Sequence, residues 1–226
     1  MIKKPVLKTL LLSLALFWLP VILLVWIANE VIERKPLVGD VAILKSVHST
    51  FSAGYSNFFL FWTTAGSAAV MAGVTLLLAG VLFYLKKPRS AAIVAFGVGG
   101  AAAANVVLKV LFRRDRPSLW HSIVQEHSYS FPSGHAMASS ALAFCLIAIT
   151  WRTRWRWPVL ISSLLCMIFV GLSRLYFGVH YPSDVVGGWL VSLLWVWLVV
   201  KIVNNPRLAE RYSRLLHRNS AEAQTK

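Results

Sequence analysis

Apolar residues gather into six long runs, at roughly 7–28, 58–85, 91–112, 134–151, 158–175 and 184–203. A helix needs about 20 predominantly apolar residues to cross a bilayer. The pattern predicts an all-α chain: a six-transmembrane-helix bundle over residues 1–203, then a basic tail over 204–226. The second run is long enough to tilt or to begin in the interface, and the fourth and fifth are short. Pro20 is expected to kink the first helix, which membrane helices tolerate when neighbours satisfy the backbone. The first run exceeds a signal-peptide core and lacks an A-x-A cleavage site, so it reads as a retained helix.

Between the first two runs, "DVAILKSVHSTF" places Val41, Leu44, Val47 and Phe51 at helical spacing. Either a short helix lying flat on the membrane surface or a plain loop satisfies that pattern. In the tail, Arg207, Arg211, Arg214 and Arg218 recur at intervals of four, three and four. A basic helix face for anionic headgroups and a solvated tail both fit.

Composition agrees with a membrane location. The chain of 226 residues is 58% hydrophobic and 14% charged, whereas soluble domains are about a quarter charged. Its formal charge of +15 raises nucleic acid as a partner, but the distribution argues against it. Lys3, Lys4 and Lys8 precede the first run, and Lys86, Lys87 and Arg89 separate the second from the third. Arg152, Arg154 and Arg156 separate the fourth from the fifth, and Lys201 with the tail arginines closes the series. With six spans these clusters share one side, the cytoplasmic one by the positive-inside rule. The expected location is the inner (cell) membrane, multi-pass, with both termini cytoplasmic. Cys145 and Cys166 lie inside apolar runs, with neither metal-ligand nor disulfide spacing.

Three further polar clusters fall on the opposite, outer side. They are "KVLFRRDRP" from Lys109 to Pro117, "FPSGH" from Phe131 to His135, and "SRLYFGVHYPSD" from Ser173 to Asp184. Ionisable groups at membrane depth mark functional sites. The gap between His135 and Ser173 fits one crossing inward, a short turn and one crossing back, so both ends return to one level. The short fourth and fifth helices put that level near the headgroups.

The residue types suit phosphate. Lys109, Arg116 and Arg174 supply cations, Arg as a planar fork and Lys as a point charge. Lys109 and Arg116 share a helix face if the third helix persists through both, which Pro117 opposes. Ser133 is a good N-cap, and a helix starting at Gly134 points its amides at an anion. His180 and Asp184 are four apart. If the sixth helix begins near His180, with Pro182 in its first turn, the carboxylate reaches one ring nitrogen and frees the other to attack. His135 is then available as a general acid. Arg113, Arg114 and Asp115 are expected to add local potential only. Glu126, His127, His48, His121 and His217 fit no pattern.

Together these clusters match K-x6-R-P, P-S-G-H and S-R-x5-H-x3-D at every signature position, so the chain resembles the type-2 phosphatidic acid phosphatase superfamily. The motifs cover about a third of the chain. The resemblance implies an integral membrane lipid phosphatase that needs no metal or other cofactor. It implies attack on phosphorus by His180, orientation of His180 by Asp184, and protonation of the leaving group by His135. Lys109, Arg116, Arg174, Ser133 and the Gly134 amide would hold the phosphoryl oxygens. The residues alone give an anion site with a His–Asp pair, and the choice of His180 over His135 rests on the resemblance, with Asp184 favouring it. A lipid phosphotransferase would use the same intermediate. An anion transporter is the reading from another class, and charges gathered at one boundary oppose it. The implied partner is a lipid phosphate entering sideways from the bilayer; no protein partner is required. Undecaprenyl pyrophosphate, phosphatidylglycerol phosphate and phosphatidic acid all fit.

Overall fold

The computed structural model describes residues 4–33, 37, 39–51 and 53–206, with side chains from Trp18 onward. The tail arginines from Arg207 on, with His217, lie outside the described residues. Every regular element among the described residues is helical: α1 (Lys4–Ile32), α2 (Asp40–Thr50), a 3-10 turn (Ala53–Tyr55), α3 (Ser56–Ala65), α4 (Ala68–Tyr84), α5 (Pro88–Phe112), α6 (Gly134–Thr150), α7 (Arg156–Tyr176) and α8 (Pro182–Val203). α1 runs through Pro20 as a continuous helix.

Three helices, α5, α7 and α8, are individually long and apolar enough to cross a membrane. The run at 58–85 is not one straight helix. It forms α3 and α4, which bend by 51° at Gly66–Ser67, as the halves of a broken span or of a re-entrant loop do. Ser67 caps α4 by accepting the Val70 N–H at 3.5 Å, and a capping serine is where one helix stops and another starts. Trp18–Ile32 and Gly134–Thr150 are shorter apolar helices.

α6 is the hub and packs against α4, α5, α7 and α8. It can do so because its buried positions are mostly small: Ala136, Ser139, Ser140, Ala141, Ala143 and Cys145. Small side chains let backbones approach, and dispersion then replaces the hydrophobic drive that is absent between helices in lipid. Its serines return their hydroxyls to the helix, as in Ser140 to Ala136 O at 2.6 Å. The largest core cluster joins Val94, Val98 and Ala101 of α5, Met137, Ala141 and Cys145 of α6, and Val196 of α8. α2 is a helix, and it lies against α7 and α8, burying Leu44 with Ala136, Leu175 and Val185.

One local expectation is corrected and another is met. α5 ends at Phe112, and Arg113 takes the left-handed conformation at φ 46° while its N–H caps Lys109 O at 3.0 Å. Arg116 therefore leaves the helix and shares no face with Lys109. α8 starts at Pro182, with Tyr181 as its N-cap. The helix thus begins two residues after His180, with Pro182 in its first turn, as the spacing of His180 and Asp184 requires. Pro at the first helical position suits an N–H that has no intrahelical partner.

Candidate active site

The end of α5, the start of α6, the end of α7 and the start of α8 meet at one end of the bundle. The irregular segment 113–133 is folded over them. The Ser133 N–H donates to Asp184 O at 3.1 Å, which ties the turn before α6 to the first turn of α8.

His180 is 1% exposed and Asp184 is fully buried. His180 Nδ1 faces Asp184 Oδ2 at 3.4 Å, and Nε2 receives Arg116 Nη1–H at 3.1 Å. A guanidinium can only donate, so this network assigns the lone pair to Nε2 and the proton to Nδ1. Asp184 occupies the third helical position, where its Oδ2 accepts the Tyr181 N–H at 2.8 Å. The same oxygen accepts the Ser130 hydroxyl. Oδ1 accepts Arg114 Nη1–H at 2.5 Å. Burial pushes the His180 pKa down to about 3, although Asp184 pulls the other way.

The cations converge through the 113–133 segment instead of along a helix. Lys109 Nζ donates to Ser128 Oγ at 2.9 Å and to Tyr129 O at 2.5 Å. Arg116 reaches the same Ser128 hydroxyl at 3.2 Å and anchors itself on Ser128 O and Val179 O, each at 2.7 Å. Arg174 is fully buried and donates to Thr63 Oγ1 and Glu126 Oε1. Burial lowers the Arg116 pKa, and Glu126 and Asp184 offset part of that loss.

Glu126 is the principal residue that sequence reasoning missed. Its carboxylate meets Arg174, lies 3.5 Å from Arg116 Nη2, and is 3.9 Å from His135 Nδ1. Burial pushes its carboxyl up, but Arg174, Arg116 and His135, with the Arg174 hydrogen bond, bring it below the ordinary carboxylate value. Its anionic form thus sits among groups suited to phosphoryl oxygens.

Ser133 acts as the cap, accepting the Ala136 N–H at 3.4 Å, and is itself buried. Gly134 and His135 line the cleft beside it. Asn105 of α5 fixes this turn by donating to Pro132 O at 2.9 Å. A Cβ on Gly134 would lie 3.1 Å from Asn105 Oδ1, so a larger residue there would have to push the Asn105 amide aside.

Arg114, expected to contribute potential only, is instead buried and paired with Asp184 and Asp40. His48 stacks on Trp120 with ring centroids 4.0 Å apart.

The site opens into a cleft of about 530 Å³ between α4 and α5. Its walls are apolar and small, including Ala72, Ala79, Gly99 and Ala102, while its polar end carries His180, His135, Lys109 and Glu126. The arrangement can hold an anion against a buried neutral imidazole with an apolar chain alongside.

Known proteins share this architecture. A family described as the PAP2 superfamily matches residues 90–208. Phosphatidylglycerophosphatase B of Bacillus subtilis is 30% identical over 142 residues, 61% of this chain and 70% of that one. Decaprenylphosphoryl-5-phosphoribose phosphatase of Mycolicibacterium smegmatis is 38% identical over 118 residues, 51% of this chain and 61% of that one. The crystal structure of a transmembrane PAP2-type phosphatidylglycerolphosphate phosphatase from Bacillus subtilis superposes with a TM-score of 0.67 at 27% identity. The superposition covers 80% of this chain and 93% of that one.

Proposed function

The chain belongs to the PAP2 superfamily as a membrane lipid phosphatase, and from that premise we propose that it removes the terminal phosphate of a long-chain lipid phosphate or pyrophosphate through a phosphohistidine on His180. The observation that carries this reading is the buried His180–Asp184 pair at the polar end of an apolar cleft, with Lys109, Glu126 and His135 lining the same end.

His180 Nε2 attacks phosphorus while the bond from phosphorus to the lipid or diphosphate oxygen breaks. His135 gives that oxygen a proton. A bound phosphate dianion favours the protonated imidazole beside it. Attack leaves positive charge on His180, and Asp184 at Nδ1 stabilises it. Lys109, Arg116 and Arg174 bind the equatorial oxygens once Glu126 gives way. Ser133 contributes by holding the turn, which directs the Gly134 amide toward the anion. A water then attacks the phosphohistidine, His135 takes its proton, and orthophosphate leaves.

The cleft supports sideways entry of an amphiphile. α6 has 17 residues, about 26 Å at 1.5 Å per residue, which is short of the roughly 30 Å hydrocarbon layer. That length supports a site at headgroup level. Lys86, Lys87, Arg152 and Arg154 lie in the turns at the opposite end of the bundle, and Arg89 and Arg156 in the first turns of the helices that follow them. This supports six spans with the site on the outer, periplasmic side of the inner membrane.

Quenching the detergent-solubilised enzyme in alkaline SDS, after mixing with lipid substrate labelled at the terminal phosphate, tests the proposal. Wild type should carry acid-labile, base-stable label on His180, and His180→Ala should carry none and release no phosphate. Full activity in His180→Ala would overturn it.

A further inference from the structure

Asp184 ends a chain of buried charge that begins at the opposite side of the sequence. Arg114 is 6% exposed. One terminal nitrogen, Nη1, donates to Asp184 Oδ1 at 2.5 Å and to Ser183 Oγ at 2.7 Å. The other, Nη2, donates to Asp40 Oδ2 at 2.8 Å. The guanidinium plane lies over the Tyr181 ring, 4.3 Å from its centroid. Asp40, 3% exposed, accepts the Ser183 N–H at 3.0 Å and the Ser183 hydroxyl at 2.6 Å. It also accepts the Leu37 N–H at 3.3 Å. Asp40, the first residue of α2, is thereby bound to the first turn of α8.

We propose that Arg114 and Asp40 are positioning residues for the nucleophile: Arg114 locks Oδ1 of Asp184 so that Oδ2 faces His180, and Asp40 holds Arg114 in that pose. The role rests on the reading of His180 as nucleophile. Two carboxylates share one guanidinium, so one net negative charge remains in the cluster. Asp184 can then keep anionic character toward His180 while its geometry is fixed. Without Asp40, both arms of Arg114 are free to turn onto Asp184 and quench it. Without Arg114, the buried carboxylates of Asp40 and Asp184 lose the guanidinium that bridges them. Breaking one partner of a buried pair is costly because it strands the other charge. Neither Arg114 nor Asp40 belongs to the three motifs.

Kinetics and histidine NMR on Asp40→Asn, Arg114→Met and Arg114→Lys, in the full chain in detergent, test this. The substrate is a short-chain lipid phosphate, and His180→Ala is run alongside. Asp40→Asn and Arg114→Met should lower kcat roughly 100-fold, as a misplacement on the order of 1 Å does, while KM changes little. The 15N spectrum of His180 should lose its single Nδ1–H tautomer. Arg114→Lys, which keeps the charge but not the fork, should fall between. Unchanged kcat in Asp40→Asn, or a fall in kcat with the tautomer intact, would overturn the role. Asp40→Asn is isosteric and decides the matter if Arg114→Met does not accumulate. Activity in His180→Ala refutes the phosphohistidine reading instead, and the tautomer measurement still decides whether the pair is positioned by Arg114 and Asp40.

Discussion

At the scale of single residues, burial decides the state of His180, the proposed nucleophile. An imidazole in water takes up its proton near 6.5, whereas His180 does so near 3. At about pH 5, 15N-histidine spectra should therefore show His180 still neutral when exposed histidines are charged. The stability consequence has a definite sign. Between those two values the unfolded chain binds a proton at this position and the folded chain does not, so stability rises with pH there. The contribution is complete above about 6.5 and is lost as pH falls toward 3. Thermal melts in detergent between pH 7 and 4 should lose less stability in His180→Gln than in wild type. Glu126 gives a second expectation. Arg174 is fully buried, and Glu126→Gln takes away its anion, so the melt should drop by about 3 kcal/mol equivalent. The motif residues were legible because signature spacing survives in one dimension. Glu126, Asn105, Arg114 and Asp40 were not, because each meets a partner far along the chain. Arg174 is 48 residues from Glu126, and Arg114 is 74 from Asp40. No periodicity connects an irregular segment to a helix end.

Helices were readable where a hydropathy window sees them. α5, α7 and α8 lie within a few residues of the runs at 91–112, 158–175 and 184–203. The break in 58–85 escaped because Gly66 and Ser67 sit inside an apolar stretch that hydropathy averages over. α5 shows how unequal similar positions on one helix become once packed. A Cβ on Gly97 would stand 2.3 Å from Cys145 Sγ, and one on Gly100 would enter the Trp195 ring at 2.1 Å. Gly99, between them, would meet nothing within 4 Å. Gly97→Val should lower the thermal stability by about 1–3 kcal/mol, the usual cost of overpacking. Gly99→Ala should raise the melt slightly, because alanine is the better helix former and its methyl meets nothing there.

Across the whole molecule, the cleft couples that open face of α5 to the chemistry. Gly99 lines it on the α5 side, and Ala72 and Ala79 line it on the α4 side. Gly99→Phe should fold, because the space exists, but its ring should occupy the channel. The expected outcome is a fall of about tenfold or more in kcat/KM for long-chain lipid phosphates, since one to two kcal/mol of lost tail contact is worth that much. A water-soluble short-chain phosphate should be turned over as by wild type. Equal losses on both substrates would mean that the cleft does not hold the tail.

The hydrogen bond from the Ser133 N–H to Asp184 O also has a meaning for biosynthesis. The cations Lys109, Arg116 and Arg174 and the acid His135 are all synthesised before His180 and Asp184. A nascent chain that has inserted helices through α7 holds the residues proposed to grip an anion but lacks the proposed nucleophile. On the proposed mechanism competence arrives with α8, when it docks against α6 and α5 and its first turn is tied to the one before α6. On the proposed mechanism the chain is silent toward the lipids around it until α8 is in place.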